Sequence, residues 1–68
     1  MNHRKKPLHY RYTDDDPDEG FDEIGIANSA EDAIAGVRYW VEGLGDSDTP
    51  MQVEETESGY YVTIGEAP

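Results

Sequence analysis

The chain is 68 residues long and has sixteen acidic residues against five basic ones, a formal net charge of −11. A chain this short forms one small domain with little room for a substrate cavity, so we expect no enzyme. It contains no cysteine, which excludes disulfides and thiolate metal sites. Its start, "MNHRKKPLHY", has no apolar segment of the kind found in secretory signals, and no apolar run approaches the roughly 20 residues that span a bilayer. We therefore expect a soluble cytoplasmic protein.

The charges are unevenly distributed along the chain. Four of the five cations lie in the first eleven residues, and from Tyr12 onward all sixteen carboxylates face a single cation, Arg38, for a net charge of −15. Such a body repels nucleic acid and anionic membranes and attracts basic protein surfaces. We therefore expect neither direct nucleic-acid binding nor membrane binding. Residues 1–7 are predicted to be a flexible basic N-terminus, followed by a single α+β domain over residues 8–66.

Two strands are predicted in the first part of the chain. "PLHYRYT" alternates, with Leu8 and Tyr10 on the face toward the core. "FDEIGIA" places Ile24 and Ile26 on one face, and its Phe21 falls out of phase. A bulge is therefore expected near residue 22 or 25.

The segment between these strands, "DDDPDEGFDE", contains seven carboxylates in ten positions. Asp14, Asp16 and Asp18 alternate as the first three ligands of a calcium loop do. That motif also requires glycine where Glu19 stands and glutamate where Gly25 stands. The proline and glycine inside the run indicate a hairpin loop. We expect a solvated acidic loop that binds no metal and no cofactor.

A helix is predicted over residues 30–43, in "NSAEDAIAGVRYWVEGLG". Ser29 is suited to the N-cap, and Asp32 stands at the position that completes a capping box. Apolar residues then recur at spacings of three or four, which is typical of an amphipathic helix. Trp40 is predicted to border the apolar face, Tyr39 points outward, and Gly43 ends the helix.

The last part of the chain, "MQVEETESGYYVTIGEAP", predicts a hairpin with Gly59 at a positive φ in its turn. The order is thus β-β-α-β-β, an α+β fold with a single helix packed on a small, mainly antiparallel sheet. The opposite face of the sheet, with Tyr61, has little apolar cover, so we expect a monomer or a weak homodimer. The predicted core comprises Leu8, Tyr10, Ile24, Ile26, Ala33, Ile34, Val37, Val41, Leu44, Met51, Val53, Tyr60, Val62 and Ile64.

The dense and uncompensated carboxylates are the candidate functional groups. Held on a scaffold, they can pair with lysine and arginine in a groove that otherwise binds phosphates. The alternative is that the acidity only serves solubility, as in halophilic proteins. The candidate partner-binding residues are Asp14, Asp15, Asp16, Asp18, Glu19, Asp22, Glu23, Glu31, Asp32, Asp46, Asp48, Glu54, Glu55, Glu57 and Tyr61, with Glu42 on the same outer face of the helix as Glu31 and Asp32. We expect reversal of the first five to lysine to abolish binding and to leave the fold intact.

Two parts of the sequence resemble known protein families. "IGIANSAEDAIAGVRYWVEG" followed by "MQVEETESGYYVTIG" resembles the small acidic anti-CRISPR proteins of phages in size, charge and architecture. The resemblance implies a non-enzymatic inhibitor that binds a CRISPR effector complex of a bacterial host and blocks recognition of target DNA, as a DNA mimic in some members.

"YRYTDDDPDEGF" followed by "NSAEDAIAGVRYWVEGL" is similar to the partial ribonuclease-H-like fold of HicB-type antitoxins. Ser29, Glu31 and Ala33 match the opening of that family's helix. This second resemblance implies neutralisation of a small basic toxin.

Overall fold

The computed structural model describes residues 5–41 and 49–66. In these residues the chain forms strand β1 (Lys6–Tyr12), a 3-10 turn (Pro17–Glu19), strand β2 (Asp22–Ala27), helix α1 (Ala30–Trp40) and strands β3 (Met51–Thr56) and β4 (Gly59–Ile64). The predicted α+β class and the order β-β-α-β-β are confirmed. β1 begins two residues before the predicted start of the domain. In this part of the chain, no helix is long and apolar enough to cross a membrane.

The four strands form one mixed sheet in the order β2-β1-β4-β3. The outer pairs, β1–β2 and β3–β4, are antiparallel as expected, whereas the central pair β1–β4 is parallel. The composition of β4, "GYYVTI", has no charged residue, which suits a strand that is flanked by β1 and β3. The acidic strands β2 and β3 occupy the edges, where charged side chains remain in water.

The core lies between α1 and one face of the sheet. Its buried members are Leu8, Ala27, Ala33, Val37, Tyr60, Val62 and Ile64, and Tyr10, Ile24, Val41, Met51 and Val53 pack against them half-buried. Of the other predicted core residues, Ile34 is half-buried and Leu44 lies outside the described residues. Ile26 was predicted wrongly, since its side chain is 59% exposed.

The cause of the error at Ile26 is a β-bulge in β2. Leu8 pairs with Gly25 and the next residue, His9, pairs with Glu23, so Ile24 is the extra residue on its strand. An extra residue reverses the alternation beyond it. The reversal directs Ile26 away from α1 and buries Ala27 in its place. The bulge itself lies where the sequence predicts it, near residue 22 or 25.

Helix α1 begins as the sequence predicts. The Ser29 hydroxyl accepts a hydrogen bond from the Asp32 amide at 3.0 Å, and the Asp32 carboxylate accepts one from the Asn28 amide at 3.1 Å. In the capping box the N-cap amide is the usual donor to the second side chain, and here the donor lies one residue earlier. The helix ends at Trp40, before the predicted residue 43, and the predicted end at Gly43 lies outside the described residues.

The β3–β4 hairpin depends on a close approach at Gly59. Its φ is +151°, and a Cβ at this position would lie 2.5 Å from the Pro7 carbonyl oxygen of the neighbouring strand. The predicted positive φ is therefore confirmed, and the space allows only glycine. The Thr56 hydroxyl accepts a hydrogen bond from the Ser58 amide at 3.2 Å and closes the two-residue turn.

Candidate protein-binding surface

The loop between β1 and β2 carries the densest group of carboxylates. Asp14, Asp15, Asp16, Asp18 and Glu19 are all exposed, and we call these five residues the acidic loop. They lie at the end of the sheet where β1 and β4 finish, since the Thr13 amide donates to the Ile64 carbonyl at 2.9 Å. Asp22 and Glu23 are exposed at the adjacent start of β2. These seven predicted residues are thus brought together at one end of the molecule.

Two carboxylates of the acidic loop hold its backbone in place. Asp15 and Tyr12 exchange two hydrogen bonds, because the Tyr12 amide donates to Asp15 Oδ2 at 3.0 Å and the Asp15 amide donates to the Tyr12 carbonyl at 3.1 Å. Asp16 caps the 3-10 turn, as its Oδ1 accepts from the Asp18 amide at 3.0 Å. Such local bonds reduce the conformational freedom of a loop. The proposed reversal of all five residues would therefore also remove loop structure.

A second group of carboxylates lies at the opposite end of the sheet. Glu31 and Asp32 are exposed in the first turn of α1, and Glu57 is exposed in the hairpin turn. A strand of the length of β1 spans on the order of 20 Å, so this group is well separated from the acidic loop. The predicted carboxylates at the two ends of the sheet therefore form two separate groups rather than one continuous patch. Glu42, Asp46 and Asp48 lie outside the described residues.

Glu55 is compensated within the fold. The Lys6 ammonium donates to Glu55 Oε2 at 2.9 Å and to the Thr56 carbonyl at 3.1 Å, which ties the start of β1 to the end of β3. The hydrogen bond to the Glu55 carboxylate raises the pKa of Lys6 above its ordinary value. Burial raises the pKa of the Tyr60 hydroxyl, and the negative charge of Glu55 adds to the effect. We therefore assign Glu55 a structural role.

The sheet face opposite α1 carries a group of aromatic rings. His9 and Tyr61, neighbours on the two central strands, stack with their centroids 4.4 Å apart and their planes 7° from parallel. Phe21 meets Tyr61 edge to face at 5.1 Å, and the Arg11 guanidinium lies 5.7 Å from the centre of the Phe21 ring. We call these four residues the open-face cluster.

Hydrogen bonds fix the two stacked rings of the open-face cluster. His9 Nδ1 lies 3.3 Å from the Tyr60 carbonyl oxygen, and the Tyr61 hydroxyl lies 2.9 Å from the Ser58 hydroxyl. The sheet register also sets carboxylates on both sides of the stack. Glu23 pairs with His9 on β2, and Glu54 pairs with Tyr61 on β3. A cross-strand row of carboxylate, imidazole, phenol and carboxylate results.

Of this row, the sequence predicted Tyr61, Glu23 and Glu54 as interface residues, but it missed His9. It also missed the other two members of the open-face cluster, Arg11 and Phe21. The alternation of β1 does place His9 and Arg11 on the face away from the core. Recognising the cluster also requires the pairing of β1 with β4, which the local pattern does not contain. A second exposed aromatic pair lies at the end of α1, where Tyr39 is 80% exposed and Trp40 62% exposed. Trp40 therefore does not border the core as predicted.

The described residues show no concave site for small-molecule chemistry. No pocket is found in this part of the chain. No group of three or more histidine, aspartate or glutamate side chains in residues 5–41 and 49–66 is arranged to hold a metal ion.

By fold and surface, this is a small α+β protein with acidic groups at both ends of a mixed sheet and aromatic rings on its open face. Comparison of the chain with family models, with curated proteins and with solved structures gives no match.

Proposed function

We propose that this protein acts by binding, without catalysis, to a lysine- and arginine-lined surface of a nucleic-acid-binding protein, where it competes with DNA. In the form that the anti-CRISPR resemblance implies, the partner is an effector complex in the cytoplasm of a bacterial host. The neutralisation of a basic toxin is the second candidate.

The observation that carries the proposal is the construction of the acidic loop. Five exposed carboxylates lie within six positions, and two of them accept backbone hydrogen bonds, Asp15 from the Tyr12 amide at the end of β1 and Asp16 from the Asp18 amide. The loop therefore presents Asp18 and Glu19 on an ordered backbone. A charged loop that is already ordered binds a basic groove with a smaller entropic cost than a flexible tail of the same composition. Complementary charge also accelerates association.

The test uses two variants of equal charge. Asp18→Asn with Glu19→Gln removes two charges from the acidic loop, and Glu31→Gln with Glu57→Gln removes two from the other end. Proteins captured from a bacterial lysate at low salt are eluted with duplex DNA, and the association rate of each eluted protein is then measured against salt. We expect the first variant to slow association more than the second, because charges act over about 8–10 Å near physiological ionic strength.

The outcomes separate the candidate functions. A partner that is released by DNA supports the proposal, whereas a small basic toxin that DNA does not release supports the antitoxin function. Equal association rates for the two variants would contradict the role of the acidic loop. If acidity served only solubility, no partner would be retained and the fold would require high salt, which thermal melts from low to multimolar salt would reveal.

A further inference from the structure

The open-face cluster is partly open to solvent, since Phe21 is exposed and His9, Arg11 and Tyr61 are half-buried. Phe21 is 36% exposed, and Ile26 extends the apolar surface on the same side of the sheet. In the described residues, α1 covers only the other face. A surface that served only solubility would carry charged side chains in place of Phe21 and Ile26. The cluster therefore has the composition of a contact surface, in which aromatic residues commonly contribute most of the binding energy.

The charges around the cluster indicate what it binds. One ring face of Tyr61 is covered by His9, and the strand order places Glu54 on the other side of Tyr61. Residues directly opposite on antiparallel strands have Cβ atoms about 4.5–5.5 Å apart. A planar cation beside Tyr61 would therefore contact the π-system and the Glu54 carboxylate together. Arg11 provides an example on the same face, since its guanidinium lies over Phe21.

We propose that the open face binds an arginine side chain of the basic partner, with the guanidinium between Tyr61 and Glu54. Arginine fits better than lysine because its planar group stacks on a ring and forms paired hydrogen bonds with a carboxylate. Glu23, on the far side of His9, gives the partner's flanking cations a second carboxylate. This inference rests on the proposed function and adds a short-range contact to the long-range attraction by the acidic loop.

The test compares a hexa-arginine with a hexa-lysine peptide, which carry the same charge, by calorimetry and by amide chemical shifts. We expect the protein to bind hexa-arginine about two- to fivefold more tightly, the range that one exposed cation–π contact supplies. Tyr61→Leu should remove the preference, Tyr61→Phe should retain it, and Glu54→Gln should reduce it. Tyr39→Leu is the matched control, because it removes an exposed ring on α1 and should leave the preference unchanged.

The chemical shifts and a melting curve for each variant keep the result interpretable. Shifts at Tyr61, Glu54 and His9 that appear with hexa-arginine and are weak with hexa-lysine support the inference. Equal affinity for the two peptides, or equal effects of Tyr61→Leu and Tyr39→Leu, would overturn it. If Tyr61→Leu does not fold, the Glu54→Gln result decides in its place. Binding of both peptides at the acidic loop alone overturns the arginine site and leaves the proposed function standing, whereas binding of neither peptide contradicts both.

Discussion

Asp16 allows the structural role of a loop carboxylate to be separated from its charge. Its Oδ1 accepts the Asp18 amide at 3.0 Å at the start of the 3-10 turn. Loss of an N-cap acceptor costs about 0.5–2 kcal/mol, and we expect the lower half of that range because the turn has three residues and is exposed. For a domain of this size, about 0.5–1 kcal/mol corresponds to a fall in Tm of roughly 2–8 °C.

Asp16→Ala and Asp16→Asn remove the same charge, but only asparagine retains an oxygen that can cap the turn. We therefore expect the alanine variant to melt lower and the asparagine variant to melt at or slightly above the wild type. The small gain in the second case comes from relief of repulsion in a chain of net charge −11. Melts followed by circular dichroism at moderate salt measure both effects.

The same pair of variants tests the importance of loop order for binding. Because their charges are equal, any difference in affinity for hexa-lysine measures the ordering of the loop rather than its electrostatics. We expect the asparagine variant to bind more tightly than the alanine variant. Equal melting temperatures for the two would refute the cap, and with it the contribution of Asp16 to the order of the acidic loop.

Three further predictions concern the fold. Leu8→Ala should cost about 2–5 kcal/mol of unfolding free energy, out of about 3–10 kcal/mol expected for 68 residues, whereas Ile26→Ala should change it by less than about 1 kcal/mol. Gly59→Ala should cost at least about 1–3 kcal/mol, because φ is +151° and the Pro7 oxygen occupies the space of a Cβ. Because their pKa values are raised, Lys6 and Tyr60 stay protonated to higher pH in the fold than in the unfolded chain. Their contribution to the free energy of unfolding is therefore complete below about pH 10 and is lost as the pH rises further.

Urea unfolding with matched controls checks these predictions. Gly25→Ala is the control for Gly59, since nothing lies within 4 Å of a Cβ at position 25 and its φ is not positive. Equal losses at the two glycines would contradict the close approach of β1. For the alkaline effect, Glu55→Gln removes the partner that raises the pKa of Lys6 and should flatten the loss of stability above about pH 10. An unchanged profile would contradict the Lys6–Glu55 contact.

Local patterns in the sequence predict the elements of this fold well. Alternation in "YYVTI" identifies β4 and its buried face, and Ser29 with Asp32 identifies the start of α1. These signals depend on a residue and its near neighbours, and the structure confirms them. The wrong assignment of Ile26 has a different origin. A single extra residue at Ile24 reverses the phase of β2, and its exact position depends on pairing with β1.

Pairing between distant segments is what the sequence did not supply. β1 and β4 are far apart in the sequence, and their parallel register pairs His9 with Tyr61, which lies 52 positions later. Without that register, nothing in the local pattern indicates that His9 and Phe21 contact Tyr61. The acidic loop, by contrast, was predictable as a loop because its proline and glycine act locally. Its internal hydrogen bonds could not be predicted, because they depend on the conformation that the loop adopts.

The distribution of side chains on the fold favours an interface over a uniform acidic coat. Solubility alone would be served by carboxylates on every exposed surface, including the open face of the sheet. That face carries Glu23 and Glu54, but it also exposes Phe21 and Ile26 and holds His9 and Tyr61 in a stack, while the loop carboxylates lie at its end. Long-range charge at the periphery and short-range aromatic contacts on a flat face are the two components of a surface that first attracts a basic partner and then holds it. The two are separable by experiment, because changes in the acidic loop should alter the association rate and its salt dependence, and changes at Tyr61 should alter the dissociation rate.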